Sequence, residues 1–126
     1  MTISYRKLVM QSDLNPGGRL FGGDLLRWVD EAAALYAFCQ LRSYRVVTLK
    51  LSESIFKIPV ELGDFLEFDC TVLKFGKTSL TIHVSVCTKI IRNMDVRREV
   101  FATDVTFVSI DADGTPVAHG CTEVRT

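Results

Sequence analysis

The residues of this chain best suited to chemistry lie between Asn15 and Ala34. A glycine-rich loop, Asn15-Pro16-Gly17-Gly18-Arg19-Leu20-Phe21-Gly22-Gly23, runs straight into an apolar stretch with Asp30 in its middle. Glycine serves where a backbone turns sharply or comes close to a ligand. A helix that opens at Gly22-Gly23 leaves its first N–H groups unpaired, with no side chains to shield them. Such donors, at the positive end of a helix dipole, suit an anion or a developing oxyanion. Asp30 falls one helical turn from Leu26 and one from Ala34, where a carboxylate is costly without a partner or a task. Donors and acid together fit attack on a carbonyl: the loop holds the oxyanion and the acid handles a water. A plainer reading fits the same residues. Gly22-Gly23 is then a tight turn, and Asp30 pairs with Arg27 three residues before it. Residue types alone leave both readings open.

The elements that must position these residues follow from periodicity. Leu25, Leu26, Trp28, Val29, Ala32, Ala33, Ala34, Leu35, Tyr36, Ala37 and Phe38 make a stretch apolar on nearly every face, the pattern of a buried helix, from about Gly23 to Leu41. Residues 3–11 alternate weakly and read as a first strand, ending in the turn signal Asp13-Leu14-Asn15-Pro16. Asn15 would serve that turn even without a chemical role. Beyond the helix, Arg45 to Phe56, Phe65 to Phe75, Leu80 to Cys87 and Val96 to Ile110 read as strands. Turns fall at Pro59, Gly63-Asp64, Gly76-Lys77, Asn93-Met94-Asp95 and Asp111-Ala112-Asp113-Gly114, with a short last strand around Pro116 to Ala118. One long early helix and a run of antiparallel strands is an α+β layout. A helix apolar all round asks for a sheet that curves around it.

Composition bounds the function classes. The 126 residues suffice for one domain, 1–126, with its own core. With 48% of residues apolar, disorder is excluded as a class. A formal net charge of zero argues against a nucleic-acid partner, while leaving room for a local basic patch toward a phosphorylated ligand. Cys39, Cys70, Cys87 and Cys121 are widely spaced, with no Cys-x-x-Cys and neither His83 nor His119 beside them. They read as buried free thiols in a reducing compartment, with no metal site. The N-terminus lacks the uninterrupted apolar core of a signal peptide, and no apolar run reaches membrane-spanning length. A cytoplasmic protein without a membrane partner is expected.

Asn15, Gly18, Phe21, Gly22, Gly23, Leu26, Asp30 and Ala33, in that order and spacing, resemble the acyl-CoA thioesterases of the hotdog-fold superfamily. The branch is that of bacterial short- and medium-chain and brain-type acyl-CoA hydrolases. The resemblance continues through Arg45-Val46-Val47-Thr48, Phe56-Lys57-Ile58-Pro59-Val60, Gly63-Asp64 and Gly76-Lys77-Thr78-Ser79, over nearly the whole chain. It implies a hotdog fold, one long central helix wrapped by a curved antiparallel sheet of five to six strands. It also implies a homodimer at minimum, joined edge to edge with the active site between protomers, and assembly into a tetramer or hexamer.

By the same resemblance the activity is hydrolysis of acyl-CoA without a cofactor, coenzyme A being part of the substrate. Asp30 would be the catalytic acid, as general base or as nucleophile. Asn15 would position the water or the carbonyl against the Asp of the other protomer. Gly22 and Gly23 would donate to the carbonyl oxygen. Phe21, Lys57, Gly76, Lys77, Thr78, Ser79, Arg97 and Arg98 are the expected substrate contacts, with the turn at Gly76–Ser79 along the pantetheine arm and the cations toward the phosphates. Each cation singly also fits simple surface solvation. Glu31 is expected to pair with Arg27, and His83 to take no catalytic part. The lack of a His between Asn15 and Leu41 disfavours a hotdog dehydratase. A carrier-protein thioesterase and a non-catalytic acyl-CoA-sensing module are the remaining alternatives. Trp28, Phe21, Phe56 and Phe75 are the candidates to close the acyl tunnel.

Overall fold

The computed structural model describes residues 3–125. β1 (Ile3–Leu8) leads through a 3-10 turn at Gln11–Asp13 into the loop before α1 (Gly22–Leu41). Then follow β2 (Val46–Leu51), β3 (Ile55–Phe56), β4 (Phe65–Phe75), β5 (Ser79–Ile90) and β6 (Asn93–Ser109). The strands form one antiparallel sheet in the order β1-β4-β5-β6-β2, with β3 also paired to β6. β2 is therefore an edge strand.

The core lies between α1 and one face of this sheet. Leu80, Ile82, Val84 and Val86 of β5 are fully buried, as strict alternation requires. Leu66, Phe68 and Cys70 of β4 and Phe101, Val105 and Phe107 of β6 extend the same layer. From α1 come Leu25, Trp28, Val29, Ala32, Ala33, Tyr36, Ala37, Gln40 and Leu41, a stripe at helical spacing.

The structure corrects several expectations. The helix is not buried on every face: Arg27, Glu31 and Leu35 face outward, Leu35 with 49% of its surface exposed. Leu26, Asp30, Ala34 and Phe38 form a half-buried flank between the two faces. The stretch from Arg45 to Phe56 is two strands, because the Ser54 hydroxyl donates to the Ser52 carbonyl and closes a turn between them. The β5–β6 turn falls at Ile91-Arg92, and Asn93-Met94-Asp95 already belongs to β6. The last strand is reduced to one bridge, Ile110 with Pro116. All four cysteines are free, but only Cys70 and Cys87 are buried, and Cys39 and Cys121 are half-exposed.

Candidate active site

The loop before α1 is held by its own backbone. The Gly18 N–H donates to the Asn15 carbonyl at 2.9 Å and the Asn15 N–H to the Arg19 carbonyl at 2.7 Å. Asn15 Oδ1 accepts the Arg19 N–H at 3.2 Å. Gly18 sits at φ 80°, a conformation that a side chain would strain. Asn15 thus serves the turn through its backbone and Oδ1, while its side-chain amide nitrogen is not used by the loop.

Phe21 precedes the helix and offers no side-chain cap. The first helical hydrogen bond runs from the Leu25 N–H to the Phe21 carbonyl at 3.2 Å. The N–H groups of Gly22, Gly23 and Asp24 precede it and have no helical acceptor. In front of this end lies a cleft of about 410 Å³ lined by Asn15, Arg19, Leu20, Phe21, Gly22, Leu25, Phe56, Lys57, Ile58, Pro59 and Val60. Four expected site residues meet here: Asn15, Phe21, Gly22 and Lys57. Gly23 adjoins them without lining the cleft, and a Cβ there would meet nothing within 4 Å.

Asp30 lies elsewhere. Eight residues along the helix from Gly22, its Cα is about 12 Å away. Its Oδ1 accepts the Thr48 hydroxyl of β2 at 2.8 Å. The proposed pairing with Arg27 does not occur, because Arg27 pairs with Glu31 at 4.0 Å as expected. Asp30 therefore keeps a half-buried carboxylate with a neutral partner, beside an edge strand that exposes Val47 and Leu49. Sequence reasoning gave no role to Thr48 or to Arg19.

The remaining contacts split in two. Lys57 reaches Glu99, which also accepts the Ser85 hydroxyl at 2.8 Å. The hydrogen bond from Lys57, then that from Ser85, holds the Glu99 carboxyl below the usual range. Arg97 pairs with Asp69 at 2.5 Å, and Arg98 stands opposite Thr88. The turn at Gly76–Ser79 is tied to the other end of β6: Ser79 pairs with Val108, and the Ser109 N–H donates to the Thr78 carbonyl at 2.8 Å. The His119 N–H donates to the Lys77 carbonyl at 3.3 Å. From Arg98 to Val108 is ten residues of strand, about 30 Å. One chain does not bring Lys77, Thr78 and Ser79 to the same place as Lys57, Arg97 and Arg98.

Other titratable groups have structural explanations. His83 pairs with Asp104 at 2.7 Å on the outer face of the sheet. Lys89 pairs with Glu67 at 3.0 Å and holds its carboxyl low. Burial pushes the Cys70 thiol up to about 12, so it is no nucleophile. Among the described residues no three His, Cys, Asp or Glu side chains gather as metal ligands, and no helix is long and apolar enough to cross a membrane.

The family model of the thioesterase superfamily matches residues 17–94, which run from the loop through the helix and β2 to β5 to the first two residues of β6. This chain belongs to the thioesterase superfamily. The acyl-CoA thioester hydrolase YciA of Salmonella typhimurium is 33% identical over 113 residues, 88% of this chain and 84% of its own. A hexameric thioesterase from Yersinia pestis has a TM-score of 0.84 and 31% identity, over 90% of this chain and 91% of that one. An acyl-CoA hydrolase from Staphylococcus aureus, solved with butyryl coenzyme A, has a TM-score of 0.85 and 26% identity, over 93% of this chain and 70% of that one. Variants of the Staphylococcus aureus protein with one Asp, and with one Thr, replaced by Ala have also been solved. The hotdog architecture expected from the sequence is the one these thioesterases share.

Proposed function

We propose that this chain hydrolyses acyl-CoA thioesters to free coenzyme A and a carboxylic acid, in a homo-oligomer whose site joins Asp30 of one protomer to the Asn15–Gly23 loop of its partner. The observation that carries the reading is Asp30 itself. A half-buried carboxylate, bonded to a hydroxyl and to no cation, sits about 12 Å from the donors it would need. Pairing of β2 edges between two chains supplies a way to bring the halves together, and it also covers Val47, Leu49 and the 88%-exposed Tyr44. Two of the relatives named above are acyl-CoA hydrolases, and the third is a hexameric thioesterase. A dimer, carried on to a hexamer, is the assembly we propose.

In this scheme Asp30 accepts a proton from water as its oxygen attacks the thioester carbonyl. The amides of Gly22 and Gly23 donate to the resulting oxyanion, and the Asn15 amide orients the water or the carbonyl. Collapse of the tetrahedral intermediate breaks the C–S bond and expels the thiolate, a good leaving group that takes up a proton afterwards. No step uses a cofactor. The four free thiols support a reducing, cytoplasmic setting. Arg19 and Lys57 at the cleft mouth, with Arg98 beyond them, are the proposed phosphate contacts on one protomer. The Gly76–Ser79 turn of another is the proposed contact for the pantetheine arm.

Free-thiol release from a panel of acyl-CoAs tests the reading. Wild type should turn over, Asp30→Ala should lose at least about a hundredfold in kcat, and Asn15→Ala should lose less. Binding without turnover by the wild type would make the chain a sensor. Hydration of an enoyl-CoA would make it a dehydratase.

A further inference from the structure

The acyl chain needs an apolar seat, and the four aromatic residues expected to bound it are separated by the structure. Trp28 is buried in the core, with the Lys7 ammonium 5.2 Å from its ring centre. Phe75 lies at the end of β4 against His119, outside the cleft. Phe21 lines the cleft at its rim. Phe56 lines it too, and the edge of its ring rests on the backbone of Gly22. A Cβ at Gly22 would come within 3.2 Å of Phe56 Cζ. Behind it, the fully buried Phe101 holds the Phe56 ring at 5.0 Å between centres, tilted by 48°.

The cleft between Phe56 and the helix start has a buried floor of Leu25 and Val60 and a wall of Leu20 and Ile58. Its polar groups, Asn15, Arg19 and Lys57, are more exposed than that floor. An apolar interior with a few polar groups suits an amphiphilic ligand, and about 410 Å³ is in the usual range for small-molecule sites. We propose that the acyl chain of the thioester lies in this cleft and that Phe56 sets the length accepted. The inference rests on the hydrolase reading above. Phe56 touches the same Gly22 whose amide faces the carbonyl in that reading, so chain length is measured from the reacting carbon. Its short strand, β3, pairs with β6 through two residues only, Ile55 and Phe56. The ring is thus fixed by Phe101 and Gly22 rather than by a broad sheet.

The test is kcat/KM over straight-chain acyl-CoAs from acetyl to palmitoyl, for wild type, Phe56→Ala and Phe56→Leu. For wild type, each methylene that enters the cleft should raise kcat/KM by about fourfold, until the chain meets the ring. Phe56→Ala should move that break point to longer chains. The ratio of the first chain that wild type rejects to the last one it accepts should rise tenfold or more. Phe56→Leu should shift it less, and circular dichroism and chromatography on both variants report folding and assembly. Superimposable chain-length profiles for folded variants overturn the proposal while leaving the hydrolase reading intact. Absence of wild-type turnover overturns the hydrolase reading instead. Calorimetric titration with non-hydrolysable acyl-CoA thioethers then reads the same break point as affinity. A break point in affinity that moves with Phe56 supports the cleft as the acyl seat, and one that does not move rejects it.

Discussion

The two ends of α1 are finished in opposite ways. At the C-terminal end both backbone and side chains close the helix. Arg42 takes the left-handed conformation, and its N–H returns to the Phe38 carbonyl. The Ser43 N–H reaches the same carbonyl at 3.3 Å. Gln40, fully buried, accepts the Arg125 N–H at 2.8 Å and donates to the Arg125 carbonyl at 3.1 Å, so its side-chain amide stands in for a strand. Arg125 Nε donates to the Gln40 carbonyl at 2.7 Å. At the N-terminal end no side chain caps the helix, two glycines leave the amides bare, and a cleft lies in front. A cap there would contribute about 1 kcal/mol. The chain forgoes that stabilisation at one end only, which is the expected mark of donors kept for a ligand. Asp30, between the two ends, has a partner in Thr48 but no donors of this kind near it.

The largest effect should come from separating the donor end from the acid. Asp30→Ala and Asn15→Ala chains, each impaired alone, are co-expressed with different tags. If a site takes its acid from one chain and its loop from the other, a mixed dimer carries both lesions in one site and none in the other. Random pairing then restores about a quarter of all sites. Thiol release no higher than the mean of the two parents would sink the composite site and place acid and donors in one chain.

The closed end should respond in stability alone. Gln40→Ala removes both hydrogen bonds between its buried amide and the Arg125 backbone. A loss of roughly 2 kcal/mol in urea unfolding is expected, with kcat/KM within twofold of wild type. A matching fall in kcat/KM of the folded protein would mean that the closed end also shapes the site.

Thr48→Val keeps the shape of the residue and removes its hydroxyl from Asp30. Removing one hydrogen bond to a charged group gives about tenfold in kcat/KM, with little change in stability because Thr48 is exposed. An unaltered rate would make the hydroxyl a bystander to the acid.

This contrast between the ends was only partly legible in the sequence. The open end was legible because glycine, proline and asparagine have few uses, and the long strands because β5 alternates without a break from Leu80 to Val86. The helix was read as buried all round because Leu35 counts as apolar whether it meets the core or solvent. Thr48 was missed because a threonine on a strand is unremarkable until its register places it beside Asp30. The roughly 30 Å between the two groups of expected substrate contacts was hidden for the same reason. Lys77 and Arg97 are near in sequence, but strand pairing sends them to opposite ends of β6. Asn15 was read both as a turn former and as a site residue, and its Oδ1 serves the turn while it also lines the cleft.

The smallest effect should come from relaxing the cap at the closed end. Arg42 has φ 51° and ψ 44°, a conformation that costs an L-residue roughly 1–2 kcal/mol. Arg42→Gly removes that strain but gives the unfolded chain more freedom, which returns about 0.4–1 kcal/mol. The net gain in unfolding free energy should lie between about 0 and 1.6 kcal/mol, with kcat/KM unchanged. A loss of stability instead would mean that the Arg42 side chain, which borders a second hollow with Leu35, Phe38 and Tyr44, contributes more by packing than its backbone costs. A change in rate would break the division between a structural and a functional end, because Arg42 neither lines the cleft at Gly22 nor bonds to Asp30.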